Sequence, residues 1–273
     1  MNEKKDRYDL HIHSNFSDGD LSPFQILQIA KEKQLQGVSI TDHDSVAAYN
    51  EKVFEEARKL EMELIVGVEI SSIHLDENVH VLGYGFDLAD SALHEFLQEV
   101  RKRRRERNEQ ILEKLQEKGI DITKQELKSS FPIAAIGRMH IAKVMQQKGY
   151  VKTVKEAFDN YLKDNGPCYV KGEKFTTTEV IAIIKKAKGK AILAHPHLLR
   201  SSRILKELEK LPFDGVEVYY GVKPLKEEEK FLQLAKEKNW LMTGGSDFHG
   251  EDKPYAKIGA SWIDAENLKK LIS

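Results

Sequence analysis

The stretch Tyr8–Asp20 reads YDLHIHSNFSDGD. Its first half is a short strand pattern with His11 and His13 on alternate positions, so both imidazoles project to one face. Five residues after His13, Asp18 stands in a Ser-Asp-Gly turn that can carry a carboxylate back toward them. Ser22 is then placed to cap a helix with Pro23 at its first position. Phe24, Ile26, Leu27, Ala30 and the later Leu35 supply the apolar face of that helix. A strand that ends in ligand-type side chains and runs into a helix is one βα unit. Taken alone, an H-x-H pair on a strand is more often two hydrogen-bonded or half-exposed histidines than a metal site. The fold turns on whether the unit recurs.

It recurs on both sides of one interruption. Gly37–Ile40 is a second strand ending in Thr41-Asp42-His43-Asp44, and a helix over about 45–60 follows, capped by Asp44 or Ser45. Asp42 reads as a support for a neighbouring ligand rather than as a ligand. Leu64–Val68 is a third buried strand ending at Glu69, and Ile70–Tyr84 is a hairpin with Asp76-Glu77-Asn78 at its turn and His80 on the returning strand. Near Asp87 the pattern changes to helical, with a long helix over Ser91–Lys118 whose centre, RKRRRERN from Arg101 to Asn108, is strongly basic. Shorter helices are expected at Lys124–Ser129, Gly137–Lys148 and Thr153–Leu162. Residues 99–170 therefore read as an all-helical insertion closed by Gly166-Pro167, between 1–98 and 171–273 of the main domain.

Alternation then resumes. A helix over Thr176–Lys186 precedes a strand at Lys190–Ala194, which ends in His195-Pro196-His197. A helix at Ser201–Lys210, a strand at Gly215–Tyr219, a helix at Pro224–Lys238 and a strand at Trp240–Gly244 lead into Gly245-Ser246-Asp247-Phe248-His249. A last helix spans about Ala265–Ile272. This is an α/β chain, and the alternation predicts parallel strands with right-handed crossovers, in a barrel or a doubly wound sheet. Pattern alone leaves both architectures open.

Composition narrows the function. The 273 residues carry 43 Lys+Arg against 44 Asp+Glu, a net charge of -1, so no global field recruits a long polyanion. The Arg101–Arg107 run reads first as a solvated helix face, with a role in holding an RNA backbone second. A single cysteine, Cys168, excludes an internal disulfide framework, fits a reducing cytoplasm and reads as a small buried residue. The N-terminal MNEKKDRYDL has no apolar core of a signal peptide, and no run approaches membrane-spanning length. No motif implies a stable protein partner.

The ligand-type residues share one property. His11, His13, His43, Glu69, His195, Asp247 and His249 all fall at or just past the end of an expected strand, with Asp18 in the first turn and His80 on the hairpin. In a parallel barrel those strand ends form the face that carries active sites. Singly, each has a plain explanation as a turn former, a cap or an exposed strand end. Independent turns do not explain why each follows a strand. Nine donors, six His, two Asp and one Glu, exceed what one ion needs. They fit two or three divalent ions with Glu69 as a bridge. Imidazole and carboxylate without thiolate suit manganese, iron or zinc. Such clusters activate water and steady the oxygens of a phosphoryl transfer.

With those motifs in hand, the chain resembles the PHP (polymerase and histidinol phosphatase) domain family. The match lies in H-x-H at His11 and His13, T-D-H-D around His43, G-V-E at Glu69, A-H-P at His195, and S-D-x-H at Asp247 and His249. The resemblance implies a distorted (β/α)7 barrel with an inserted helical cap. It also implies three ions: one on His11, His13, Glu69 and Asp247, a second on Glu69, His80 and His195, a third on Asp18, His43 and His249. Manganese is the leading expectation. Within the family, Gly137-Arg138-Met139-His140-Ile141-Ala142, followed by Tyr161-Leu162 and Gly166-Pro167, is similar to a stand-alone branch. That branch contains 5'-3' exoribonucleases of the RNase AM type and nucleoside 3',5'-bisphosphate phosphatases. Met139 stands where the branch has proline, and His197 where a small residue is usual.

The resemblance makes Arg138, His140 and His197 candidate substrate contacts. A guanidinium suits a bidentate grip on phosphate, and His140 suits the acid that protonates a leaving oxygen. The expected activity is hydrolysis of nucleoside 3',5'-bisphosphates and short 5'-phosphorylated RNA. Two alternatives accompany it: a phosphomonoesterase for a small metabolite such as histidinol phosphate, and a non-catalytic metal-binding module. No ligand position is replaced, which speaks against the last.

Overall fold

A computed structural model describes residues 6–221, 225–251 and 253–273. The first elements are β1 (Tyr8–Ile12), α1 (Pro23–Glu32), β2 (Gly37–Ile40), α2 (Glu51–Lys59), β3 (Glu63–Ile65), β4 (Gly67–His74) and β5 (Glu77–Tyr84). Next come the helices α3 (Ser91–Glu117), α4 (Lys124–Ser130), α5 (Arg138–Gln147) and α6 (Val154–Ala157), the last running into a single π-turn at Phe158–Leu162. The chain ends with α7 (Thr177–Lys186), β6 (Lys190–Leu193), α8 (Ser202–Leu208), β7 (Gly215–Tyr220), α9 (Leu225–Lys238), β8 (Leu241–Gly245) and α10 (Ala265–Ile272). Pro224, the expected start of α9, lies outside the described residues.

Two compact units emerge, one from the chain up to Phe96 with Phe175–Ser273, the other Leu97–Lys174. The first holds every strand. β1, β2 and β3 form a parallel three-stranded sheet, and β4 to β8 a five-stranded sheet in sequential order. The parallel strands expected from the alternation are β1 to β3 and β6 to β8, while β5 runs antiparallel to β4, as the expected hairpin requires, and also to β6. The reason is the hairpin, since β4 and β5 join through only Leu75 and Asp76, both at positive φ. A two-residue turn of that kind forces an antiparallel pair, and it falls one residue earlier than expected. Isolated bridges between Ile12 and Phe248 and between His43 and Glu69 link the two sheets.

Two further differences matter for the site. The expected third strand is interrupted at Val66, and Glu69 sits inside β4 rather than at a strand end. The expected helix over 45–60 begins only at Glu51, capped by Asn50. Asp44 is no cap: it adopts φ +54° and its carboxylate accepts from Ser71 N and Oγ.

Burial follows the amphipathic pattern. Ile26, Leu27 and Ala30 of α1 pack with Ile12, Val38, Ile40 and Val53 in one core. Phe24, expected on that face, is exposed. Leu10, Leu82, Tyr84, Ile192, Ile263 and Leu268 form a second core in the same unit. The helical unit has its own, with Ile111, Leu115, Ile141, Met145, Leu162 and the free Cys168 fully buried. Among the described residues no helix is long and apolar enough to cross a membrane.

Candidate metal centre

β1 carries His11, and just past its end His13, into the strand-bearing unit, where both are buried. β8 approaches closely at that point: a Cβ on Gly245 would stand 2.3 Å from His11 N, so only glycine fits there. The Ser14–Gly19 turn brings Asp18 back, and Gly19 lies so close that an added Cβ would meet His13 O at 2.1 Å. Buried Asp42 holds the turn by accepting from Ser14 N, Ser14 Oγ and Ser17 Oγ.

Four donor atoms then face one another. His11 Nε2 lies 3.2 Å from His13 Nε2 and 3.5 Å from both Glu69 Oε2 and Asp247 Oδ1. His13 Nε2 lies 3.2 Å from Glu69 Oε2 and 3.3 Å from Asp247 Oδ1. Donors about 2.1 Å from a shared ion, at angles of about 90–109°, lie about 3.0–3.4 Å apart. The spacing of this group fits one cation. Around the other oxygen of Glu69, His195 Nε2 lies at 2.8 Å and His80 Nδ1 at 2.9 Å. His43 Nδ1 approaches Glu69 Oε2 to 3.0 Å, yet no hydrogen bond forms at that nitrogen. Asp18 faces His13 Nδ1 at 3.6 Å, His43 Nε2 at 3.7 Å and His249 Nε2 at 3.5 Å.

All nine expected ligand residues thus lie in this unit. Three sets have their donor atoms within 4.8 Å of one another: His11, His13 and Glu69; His43, Glu69 and His80; His13, Asp18, His43 and His249. Glu69 belongs to the first two, which suits a bridging carboxylate, and His43 and His13 also recur.

The electrostatics ask for positive charge. Burial pushes the Glu69 carboxyl up, but the surrounding His80, His43 and His11 outweigh it and hold it well below the usual range. Asp247 is buried too, and Lys253, His249 and His11 hold it well below as well. Burial presses His11 down, while Glu217, Asp247 and Glu69 lift it well above the ordinary imidazole value. His13, pressed down by burial and lifted by Asp247, Glu69 and Asp18, comes to about 9. Burial dominates at His80 and His249, which fall to about 4 and about 3. Two fixed anions in a buried pocket need a cation nearby. Protons on His11 and His13 supply that charge, and a divalent ion would supply it better. The donor set fits such ions.

The three expected substrate contacts fall in different places. His197 lies in the strand-bearing unit beside Tyr220, with ring centroids 4.2 Å apart. Arg138 and His140 belong to the helical unit. Arg138 Nη1 donates to Leu162 O at 2.9 Å and Asp164 Oδ1 at 2.7 Å, and the guanidinium sits 5.2 Å from the Tyr169 ring. Buried His140 accepts from Gly137 N through Nδ1, which leaves Nε2 as the ring's donor position. Within the basic run, Arg103 pairs with Glu99.

The sequence model of the PHP domain matches residues 9–170. The chain belongs to the PHP domain family. That match includes His11 to His80 of the centre, and full-length relatives cover the rest. The 5'-3' exoribonuclease Rnm of Escherichia coli is 30% identical over 265 residues, 94% of this chain and 90% of its own length. The 3',5'-nucleoside bisphosphate phosphatase of Chromobacterium violaceum is 30% identical over 257 residues, 92% of this chain and 90% of its own. Among solved structures, a protein classed as a metal-dependent phosphoesterase from Bifidobacterium adolescentis superposes with a TM-score of 0.85 at 28% identity, covering 97% of this PHP-domain chain and 95% of that one. An amidohydrolase from Chromobacterium violaceum, with sulfate bound and no metal, superposes at 0.84 with the same identity and coverage.

Sequence reasoning missed four buried or half-buried groups at this centre. Asp9 accepts from Ser246 N, Gly259 N and His11 N. Glu217 bonds His11 and His195, while Tyr220 and Lys253 reach Asp247. One signal was available. Glu217 interrupts an apolar strand, GVEVYY, and a carboxylate there is rarely buried without partners.

Proposed function

We propose that this chain is a metal-dependent phosphoesterase that hydrolyses nucleoside 3',5'-bisphosphates and short 5'-phosphorylated RNA, acting from the 5' end. The observation that carries the reading is the gathering of nine imidazole and carboxylate side chains, Glu69 among them, into one cluster. The names of the exoribonuclease and bisphosphate-phosphatase relatives, alike across nearly the whole chain, point to the substrate. We assign two or three divalent ions to His11, His13, Asp18, His43, Glu69, His80, His195, Asp247 and His249, with manganese first and iron or zinc compatible with the same donors. When bound, such ions activate water for attack on phosphorus and neutralise its nonbridging oxygens.

The protein's own part is to hold these donors rigidly and to manage protons and phosphate. His140, with Nδ1 accepting from Gly137, presents Nε2 as the proton donor suited to a leaving oxygen. Arg138, oriented by Asp164, offers a planar fork for phosphate. His197 is the third candidate contact. We assign residues 99–170 as a helical cap domain and the remainder as a distorted (β/α)7 barrel, a reading supported by the bridges that join the two sheets. The single buried cysteine accords with a reducing, cytoplasmic setting. No stable protein partner enters the scheme.

The test is a turnover panel on manganese-loaded protein. It compares a nucleoside 3',5'-bisphosphate, a 5'-phosphorylated oligoribonucleotide and histidinol phosphate. The first two should be preferred, with mononucleotides released from the RNA, and Arg138→Ala should impair both. Preference for histidinol phosphate with Arg138→Ala unimpaired would replace this reading by a small-metabolite phosphatase. No turnover of any ester would leave a binding module.

A further inference from the structure

β7 lends no ligand to the centre, yet two of its side chains bond three of the candidate ligand residues. Glu217 is buried, and its two oxygens serve two different ligand residues. Oε1 lies 2.8 Å from His11 Nδ1, and Oε2 accepts from His195 N at 2.7 Å. With Nδ1 donating to Glu217, Nε2 is the nitrogen left to give up its proton to an ion, and it faces His13, Glu69 and Asp247. The second bond acts on backbone. His195 has a φ of +26°, a conformation that side-chain-bearing residues avoid, and its amide is tied to Glu217. That bond holds the turn which aims His195 Nε2 at Glu69.

Three residues on, Tyr220 OH donates to Asp247 Oδ2 at 2.6 Å. Lys253 Nζ reaches the same oxygen at 2.9 Å. Both donors sit on one oxygen, so the other, Oδ1, faces His11 and His13 at 3.5 and 3.3 Å. We propose that Glu217 and Tyr220 are positioning residues that make β7 the element presenting His11, His195 and Asp247 to the ions. This rests on the metal-centre reading above and adds to it which residues set the geometry of the ligands.

The substitutions follow from the bonds. In Glu217→Gln one end of the side chain becomes an NH2, which cannot accept, so either His11 or the His195 amide loses its partner. Tyr220→Phe keeps the ring beside His197 and deletes the donor to Asp247. Val218→Ala, a truncation of a buried apolar residue on the same strand, is the packing control. The experiment is titration of metal-stripped full-length protein with Mn2+ by calorimetry, with the visible spectrum of the cobalt-loaded protein alongside.

Both positioning variants should weaken one ion of the set by roughly 10–100-fold, leave another at wild-type affinity and alter the cobalt spectrum. Val218→Ala should lower the melting temperature without that selective loss. Wild-type affinity at every ion in both positioning variants would overturn the proposal. So would a uniform weakening that Val218→Ala reproduces. A wild-type chain that takes up no ion would instead overturn the metal-centre reading itself, and this inference with it.

Discussion

Asp42 shows how a residue without a ligand role can decide where a ligand goes. It is buried and accepts from Ser14 N at 2.8 Å, Ser14 Oγ at 2.6 Å and Ser17 Oγ at 2.5 Å, which stitches the turn that returns Asp18 to the histidines. In Asp42→Asn an amide NH2 must face one of those donors, and leaving a buried donor unsatisfied costs about 1–3 kcal/mol. Urea unfolding of the metal-free protein should show that loss, together with weaker uptake of the ion nearest Asp18. An unchanged midpoint would show that the turn holds without it. At this scale most of the candidate ligands were legible because placement just after a strand is a property of local sequence, although Glu69 lies inside β4. Their supports were not. Glu217 finds His11 206 residues away, and nothing in GVEVYY tells which distant imidazole will meet it.

Among the elements, the late start of α2 has a physical cause. The helical pattern runs back to Ser45, but Tyr49 is pulled out of it to place its hydroxyl among three strands. That oxygen accepts from Ile40 N at 3.1 Å and Gly67 N at 2.8 Å, and it lies 2.8 and 2.9 Å from the carbonyls of Ile40 and Ile65. One side chain thus satisfies backbone groups where β3 gives way to β4, the same break that interrupts the expected third strand. Tyr49→Phe keeps the ring and orphans two amides, so a loss of about 1–3 kcal/mol is expected by chemical denaturation. A variant as stable as wild type would mean that water replaces the hydroxyl. The hairpin teaches the same lesson. The hairpin and its antiparallel pair were readable, but its two-residue turn at Leu75 and Asp76 was not, since leucine is no signal for positive φ.

For the whole molecule, a net charge of -1 spread over 273 residues conceals a buried centre whose anions must be matched locally. In the metal-free state the match is made with protons. His11 is lifted well above the ordinary value and His13 to about 9, so both are protonated at neutral pH. Glu69 and Asp247 are held far below it and stay charged, while His80 and His249, at about 4 and about 3, are already neutral. Metal ligation requires neutral imidazole, so ion binding must expel the protons that His11 and His13 hold. The sign follows directly. Because those two values are raised, protons compete with the ion across the neutral range, and affinity should climb with pH at least as far as about 9. Calorimetry at pH 7.5 in buffers of different ionisation enthalpy should report release on the order of two protons per loaded chain. Release near zero, with affinity flat between pH 6.5 and 9, would mean that the centre meets its ions with unprotonated histidines, and the charge balance drawn from Glu69 and Asp247 would fail.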